Sequence, residues 1–445
     1  MMEGGGEAAV PQWAQWAALL ILSVCAAVVV QVLLATRGTA YRRDADGALY
    51  IPADHPGVPY YVLRAILCCR LRCPPRLRAA DFQAWTPRLR TVMPATLEAD
   101  RVAEFAAACG YRPGEDAADV GRDSGHDSGR DEASGRVVPP TYLQAVSEVM
   151  SMAAATCASR ADWPLPLLPL PIHAAQTIEL FGEQLCAGDG VLFVGSPPVA
   201  TRTRRGMELR LDSHGVDGGN NLRFRGSMTG FYRLPPDPTI ESSGNSGGAA
   251  TAASPADEIG ALTAPVRRHE WVVDARTARE YAAASDDYNP THLLPWCGRA
   301  VGFPGAVVHG MWTAARVHAQ CVADGALPYS LPTAASLHAA RVAAGTTGVS
   351  GGTGTTVAPP SPRDDGGGGT SQPRFRMSIA FRRPIVLPST VVCSYSLADA
   401  VWVPAAGASA DAPLPPDIGV RRITFLVHTP ANDAVYARGT MELFL

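Results

Sequence analysis

The feature that most constrains the fold is a repeat hidden between stretches of low complexity. "DRVAEFAAACGY" (100–111) reads beside "RTAREYAAASDD" (276–287), and "VVPPTYLQAV" (137–146) beside "VVHGMWTAAR" (307–316). Further along, "TIELFGEQLCAGDGV" (177–191) reads beside "SIAFRRPIVLPSTVV" (378–392), and "FRGSMTGF" (224–231) beside "ARGTMELF" (437–444). Each match alone is weak, but four in the same order point to a duplicated unit. Each copy opens with a short alanine-rich helix. A longer helix follows, starting near Pro140 or Gly310, and strands of alternating apolar residues close the unit. In the second copy the later strands fall near "TVVCSYSLADAVWV", "RRITFLVHT" and "AVYARGTMELFL". One long helix against several antiparallel strands is an α+β unit in which the helix buries one face of the sheet.

Three stretches are too rich in Gly, Ser, Asp or Pro to bury a core: 112–136, about 235–260 and about 343–373. They are expected as flexible insertions or linkers. The chain of 445 residues is too long for one ordinary core. The resulting layout is a short tail (1–12), an apolar segment (13–36), a basic segment (37–85), a first half (86–234), a linker (235–260) and a second half (261–445). "PLPLLPLP" (164–171) reads as a rigid extended lead-in to a strand. "GNSGG" (244–248) has the look of a hydrolase turn, but it lies in a linker with no strand before it.

The net charge of -3 argues against non-specific nucleic-acid binding, which needs a basic excess. Every basic residue apart from histidine is arginine. The ten cysteines are scattered, with no paired C-x-x-C motifs at zinc spacing, and are expected to be reduced and mostly buried.

"WAQWAALLILSVCAAVVVQVLLAT" (13–36) carries no charge. Its length corresponds to about 36 Å of helix, enough to cross a bilayer with some tilt. Glu3 and Glu7 precede it and Arg37, Arg42 and Arg43 follow it, which is the wrong polarity for a cleaved signal peptide. The expectation is an uncleaved single-span anchor with the bulk of the chain in the cytosol. The endoplasmic reticulum is a starting assumption for which membrane. "YYVLRAILCCRLRCPPRLR" (60–78) reads either as a membrane-facing basic strip or as a plain connector. In the first case Cys68, Cys69 and Cys73 are candidates for acylation.

The stretch richest in chemistry is "YAAASDDYNPTH" (281–292). Pro290 disfavours helical geometry at Asn289, so the helix is expected to end around Asp287 or Tyr288. A turn there brings the Asp287 carboxylate and the His292 imidazole toward one point, where both could address one water. Asn289 could orient a partner or cap the backbone. The competing reading is ordinary Asp/Asn/Pro turn chemistry. A metal site has only two ligands within this stretch and is not expected. "GFPGAVVHGMWTAARVHAQ" (302–320) leads into an apolar helix whose first residues include Gly310. A helix N-terminus offers unpaired N–H groups, and a residue without a side chain lets a carbonyl approach closely. Alternatively, Gly310 only lets the helix pack tightly.

Together, "YAAASDDYNPTH" and "GFPGAVVHGM" resemble the MaoC-like family of (R)-specific enoyl-CoA hydratases and 3-hydroxyacyl-thioester dehydratases. Asp286 stands where that signature usually has glycine, and Thr291 where it has an aliphatic residue. The resemblance implies a double hotdog fold, two long helices each wrapped by an antiparallel sheet. It covers the second half well and the first half weakly. It implies that Asp287 and His292 activate water, that Asn289 supports them and that the Gly310 N–H holds the thioester oxygen. It implies no cofactor, no metal and an acyl-CoA or acyl carrier protein thioester as substrate. His309, Arg382 and Arg383 are candidate substrate contacts, and a homodimer is a further expectation. The first half has Tyr111 opposite Asp287 and Pro140 opposite Gly310, and proline has no N–H to donate. It is therefore expected to be structural, shaping an acyl-chain tunnel. The alternatives are a non-catalytic thioester-binding scaffold and a hotdog thioesterase.

Overall fold

The computed structural model of the chain describes residue 23 and residues 41–43, 47–53, 89–111, 137–157, 172–204, 206–233, 254–262, 264–331, 373–401 and 420–444. The elements of the N-terminal part are β1 (Arg42–Arg43), β2 (Leu49–Tyr50), β3 (Thr91–Thr96), α1 (Ala99–Cys109), α2 (Pro140–Cys157), β4 (Ile172–Leu180), β5 (Gly190–Gly195), β6 (Val199–Thr203), β7 (Gly206–Val216) and β8 (Leu222–Arg233). The C-terminal part contains α3 (Pro255–Gly260), β9 (Val266–Val273), α4 (Ala275–Ser285), α5 (Pro290–Leu293), α6 (Pro295–Ala300), α7 (Gly310–Ala323), β10 (Phe375–Phe381), β11 (Ser389–Val401), β12 (Val420–His428) and β13 (Val435–Phe444).

The strands form one sheet, ordered β1-β2-β3-β5-β7-β8-β4-β10-β13-β12-β11-β9, with β6 added to β7. From the β4–β10 seam outward, both halves run the same way: β4-β8-β7-β5-β3 and β10-β13-β12-β11-β9. Each half places its long helix inside its own sheet. α2 packs on β3, β4, β5 and β8. α7 is buried almost all round, as an apolar helix must be when a sheet and neighbouring helices enclose it. The fold is a double hotdog, and one continuous apolar core joins the halves.

The repeat read from the sequence is carried in detail. α1 buries Val102, Phe105, Ala106 and Cys109, while α4 buries Ala278, Tyr281, Ala282 and Ser285 at the same helical spacing. Phe105 and Tyr281 meet across the interface of these two helices, ring centroids 5.7 Å apart. Both helices end on a left-handed residue, Gly110 at φ 79 and Asp286 at φ 58. The second helix thus stops at Ser285, two or three residues earlier than the proline rule suggests, because the backbone reverses at Asp286 before Pro290 acts.

The seam between the halves also carries charge. β4 pairs antiparallel with β10, setting Glu179 opposite Arg376. Arg225, Glu179, Arg376, Glu442 and Arg422 then lie directly opposite one another on five neighbouring strands. Their ion-pair distances are 3.2, 2.8, 3.4 and 2.7 Å in that order. Alternating charges in register favour this pairing over a shifted one.

Two boundaries differ from the sequence reading. The basic segment at 37–85 is not wholly outside the fold: β1 and β2 extend the first sheet, β2 pairs parallel with β3, and Leu49 and Ile51 are fully buried. The linker at 235–260 ends in α3, capped by Ser254, whose Glu258 pairs with Arg382 and Arg438. Of the apolar run at 13–36, only Ser23 is among the described residues, and no described helix is long and apolar enough to cross a membrane. Cys68, Cys69, Cys73, "PLPLLPLP", "GNSGG" and the insertions 112–136 and 343–372 lie outside the described residues.

Candidate active site

The site is built on the turn after α4 and the first turn of α7. At its start, Asp286 takes the left-handed conformation and its carboxylate binds Arg101 of α1 at 2.8 Å. Arg101 also donates to the Ala283 carbonyl at the end of α4, at 3.0 Å. The chain then leaves the helix with Asp287 part-exposed beside it. The Asn289 backbone N–H donates to Asp287 Oδ1 at 3.1 Å. Asn289 caps α5: its Oδ1 accepts from the Thr291 N–H at 3.1 Å and the Thr291 hydroxyl at 2.9 Å. The polar residue at 291 is accounted for by that bond, since the side chain is buried and its hydroxyl is satisfied. The Thr291 carbonyl accepts from the Val307 N–H, tying this turn to the strand-like lead into α7.

The two histidines can be assigned tautomers. His292 Nδ1 lies 2.8 Å from the Val307 carbonyl oxygen, which can only accept, so Nδ1 carries the hydrogen. Nε2 of a neutral His292 is therefore the free, basic nitrogen. His309 caps α7 and is 1% exposed. Its Nε2 donates to the Asp287 carbonyl at 3.0 Å and lies 3.9 Å from the carboxylate. Burial, with His292 beside it, pushes the His309 pKa down to about 3, so this ring stays neutral. The two imidazoles stack with centroids 3.9 Å apart.

Ligand atoms of Asp287, His292 and His309 all lie within 4.8 Å of one another, the distance range of a metal cluster. Two ring nitrogens, however, already serve backbone carbonyls, as in an acid–base site held by its own loops. His309, expected as a substrate contact, sits behind the site and clamps the Asp287 backbone.

Gly310 opens α7, so its N–H has no partner within the helix. A β-carbon there would lie 3.2 Å from the Phe381 ring. Arg382 and Arg383 are exposed, and Arg382 is bound to Glu258 of α3. Arg376 is held in the charge ladder of the seam.

Sequence reasoning did not single out the polar groups that the first half brings here. Glu148, on α2, is of intermediate exposure, yet its Oε1 is sealed from solvent with no partner. Burial, and then the charge of Asp287, raise its pKa to about 8. His173, on β4, also has a sealed, unpartnered Nε2, and burial lowers its pKa to about 4. Its ring centroid is 4.8 Å from that of Phe381. The visible signal was a lone acid in the apolar helix "PTYLQAVSEVMSMAAATC".

These features define a double-hotdog chain with an Asp/His cluster at the start of its second buried helix. Residues 259–343 match the MaoC like domain. A 45-residue stretch is 47% identical to 3-hydroxyacyl-thioester dehydratase X of Mycobacterium tuberculosis, covering 10% of this chain and 16% of that protein. Among solved structures, HtdX of Mycobacterium tuberculosis is 18% identical, covering 79% of this chain and 98% of that one with a TM-score of 0.46. A MaoC-like dehydratase from Phytophthora capsici is 13% identical, covering 82% and 97%, at 0.46. The full-length peroxisomal multifunctional enzyme type 2 of Drosophila melanogaster is 13% identical, covering 80% and 48%, at 0.45.

Proposed function

We propose that the chain hydrates trans-2-enoyl thioesters and dehydrates (R)-3-hydroxyacyl thioesters at the Asp287/His292 site. The observation that carries this reading is the hydrogen-bond direction at His292. Nδ1 is spent on the Val307 carbonyl, which leaves Nε2 free on a ring that stacks on His309 and groups with the Asp287 carboxylate; Gly310, next in chain to His309, begins α7 with its N–H outside the helical ladder. In the hydration direction the dyad takes a proton from water as its oxygen attacks C3, and a proton is delivered to C2. Negative charge that builds on the thioester oxygen meets the Gly310 N–H and the positive end of α7. Asn289 keeps Asp287 in place through its backbone N–H and holds the following turn through its side chain. The substrate is an acyl-CoA or acyl carrier protein thioester, in keeping with the matched relative's name.

The test is a spectrophotometric assay of the full chain on crotonyl and longer enoyl thioesters. Asp287→Asn and His292→Ala are each expected to lower kcat by about 10²–10⁴-fold. Wild-type turnover by either variant would falsify the dyad, and release of free CoA with no change in enoyl absorbance would make the chain a thioesterase instead. The uncharged run at 13–36 supports an accompanying proposal, a membrane anchor with the catalytic half in the cytosol. Carbonate extraction that frees the chain from membranes would exclude it.

A further inference from the structure

The two halves exchange groups in a symmetric way, and this locates a residue the dyad mechanism does not use. α2 and α7 open at Pro140 and Gly310, so the ninth residue of each is Glu148 and His318. The turn positions after α1 and α4 are Tyr111 and Asp287. In the first half, Tyr111 is buried and its hydroxyl lies 2.8 Å from Nδ1 of His318, supplied by the helix of the other half. In the second half, the residue at the position that matches His318 is Glu148, and the charge of Asp287 acts on it. α2 touches both α4 and α7. Tyr111 and His318 satisfy each other, but Glu148 Oε1 is left unpartnered, and so are the Tyr281 hydroxyl and His309 Nδ1. Gln144, one turn earlier, opposes the upward shift of Glu148, but less than burial and Asp287 drive it.

We propose that Glu148, contributed by the first half, is a positioning residue of the second half's active site: it stands as a neutral acid facing Asp287 and keeps that carboxylate the single negative charge of the cluster. Two carboxylates in one low-dielectric site cannot both ionise cheaply, and the more deeply sealed one keeps the proton. The titratable groups on the elements around α2 agree with this. They include Tyr281 on α4, Asp287 beyond it, Arg316, His318 and Cys321 on α7, His173 and Glu179 on β4, and Arg223, Arg225 and Tyr232 on β8. Burial keeps His318 and His173 neutral. Arg316 lies over Trp271, Arg225 pairs with Glu179, and Arg223 pairs with Asp217. None of these arginines is paired with Glu148. Ionised Glu148 would place a second negative charge beside Asp287 and oppose the charge that develops on the thioester oxygen.

This inference rests on the hydratase reading for its catalytic effect, but not for its protonation. Wild-type kcat/KM on crotonyl-CoA is expected to fall about tenfold per pH unit above about pH 8. Glu148→Gln, which cannot ionise, is expected to keep at pH 9 the kcat/KM it has at pH 7. Glu148→Ala is expected to lower kcat about tenfold while KM moves little. An alkaline limb in Glu148→Gln identical to the wild type's overturns the proposal. The second readout needs no activity. A carboxyl with a raised folded pKa binds its proton more tightly in the fold. Stability relative to Glu148→Gln is therefore full below about pH 4.5 and is lost as pH rises to about 8. Infrared spectra at pH 6.5 are expected to show a protonated-carboxyl band that Glu148→Gln lacks. If wild type is inactive on every enoyl thioester, the hydratase reading fails while the stability slope and the band still decide whether Glu148 holds a proton. Absence of both overturns the inference by itself.

Discussion

The turn after α1 and the turn after α4 occupy the same place in two copies of one fold, and they use their polar groups in opposite ways. After α1, Gly110 reverses the chain and Tyr111 is buried against His318 and Thr141, its hydroxyl supplied with partners. After α4, Asp286 reverses the chain and Asp287 remains part-exposed, with His292 Nε2, Glu148 Oε1 and the Gly310 N–H all lacking protein partners. Burying unpartnered polar atoms costs stability, on the order of 1–3 kcal/mol each. At its own turn the first copy has removed that cost and with it a means of binding a reacting group there. The second copy retains it, and a substrate is what would fill those vacant bonding positions. The contrast also shows that the first half is not only a scaffold, since its helix and its β4 strand place Glu148 and His173 near the second half's site.

After the dyad variants, the comparison is broken most strongly by making the second copy resemble the first at the helix start. Gly310→Pro removes the N–H and leaves the helix intact, because proline is well tolerated at the first helical position. His309 already has φ -63 and ψ 132, the extended geometry required before proline. The expected loss in kcat is about 10²–10³-fold, with unchanged far-UV circular dichroism. Gly310→Ala is the control. It keeps the N–H but sets a methyl group 3.2 Å from the Phe381 ring, and a loss of less than about tenfold is expected. Equal losses in the two variants would mean that space against Phe381, rather than the N–H, is what Gly310 provides.

Much of this was legible in the sequence because it is local. The buried spacing of α1 and α4 is a helical period, which acts within a few residues. What could not be read is what depends on the two halves meeting. Glu148 reaches Asp287 across 139 positions of chain only because α2 packs on α4 and α7. His309 was legible as part of the site but not as its clamp, because its role depends on a carbonyl 22 residues away. Leu49 and Ile51 look like a connector in sequence, and become core only when β2 finds β3. Arg382 read as a substrate contact because nothing near it in sequence shows Glu258.

The smallest effect, and the finest test of the comparison, lies at the reversing residue itself. In the first copy a β-carbon on Gly110 would fall 1.6 Å from the Arg316 guanidinium and displace that flexible side chain from its place over the turn. In the second copy Asp286 accepts a left-handed φ, which costs an ordinary residue about 1–2 kcal/mol and aspartate somewhat less. Against this stands its ion pair with Arg101, part-exposed on both sides and worth about 0.2–1 kcal/mol. Asp286→Gly removes the strain and the pair together, so urea unfolding is expected to give a stability within about 1 kcal/mol of wild type. Asp286→Ala keeps the strain and loses the pair, and should fall below Asp286→Gly by about 1 kcal/mol. Neither variant should alter kcat, because Asp286 points to Arg101 and not to the Asp287 cluster. Equal stabilities for the alanine and glycine variants would remove the strain from this account. A loss above about 2 kcal/mol in Asp286→Gly would instead make the Arg101 pair a principal tie between the halves, and the turn after α4 would then hold the two copies together as well as carry the acid.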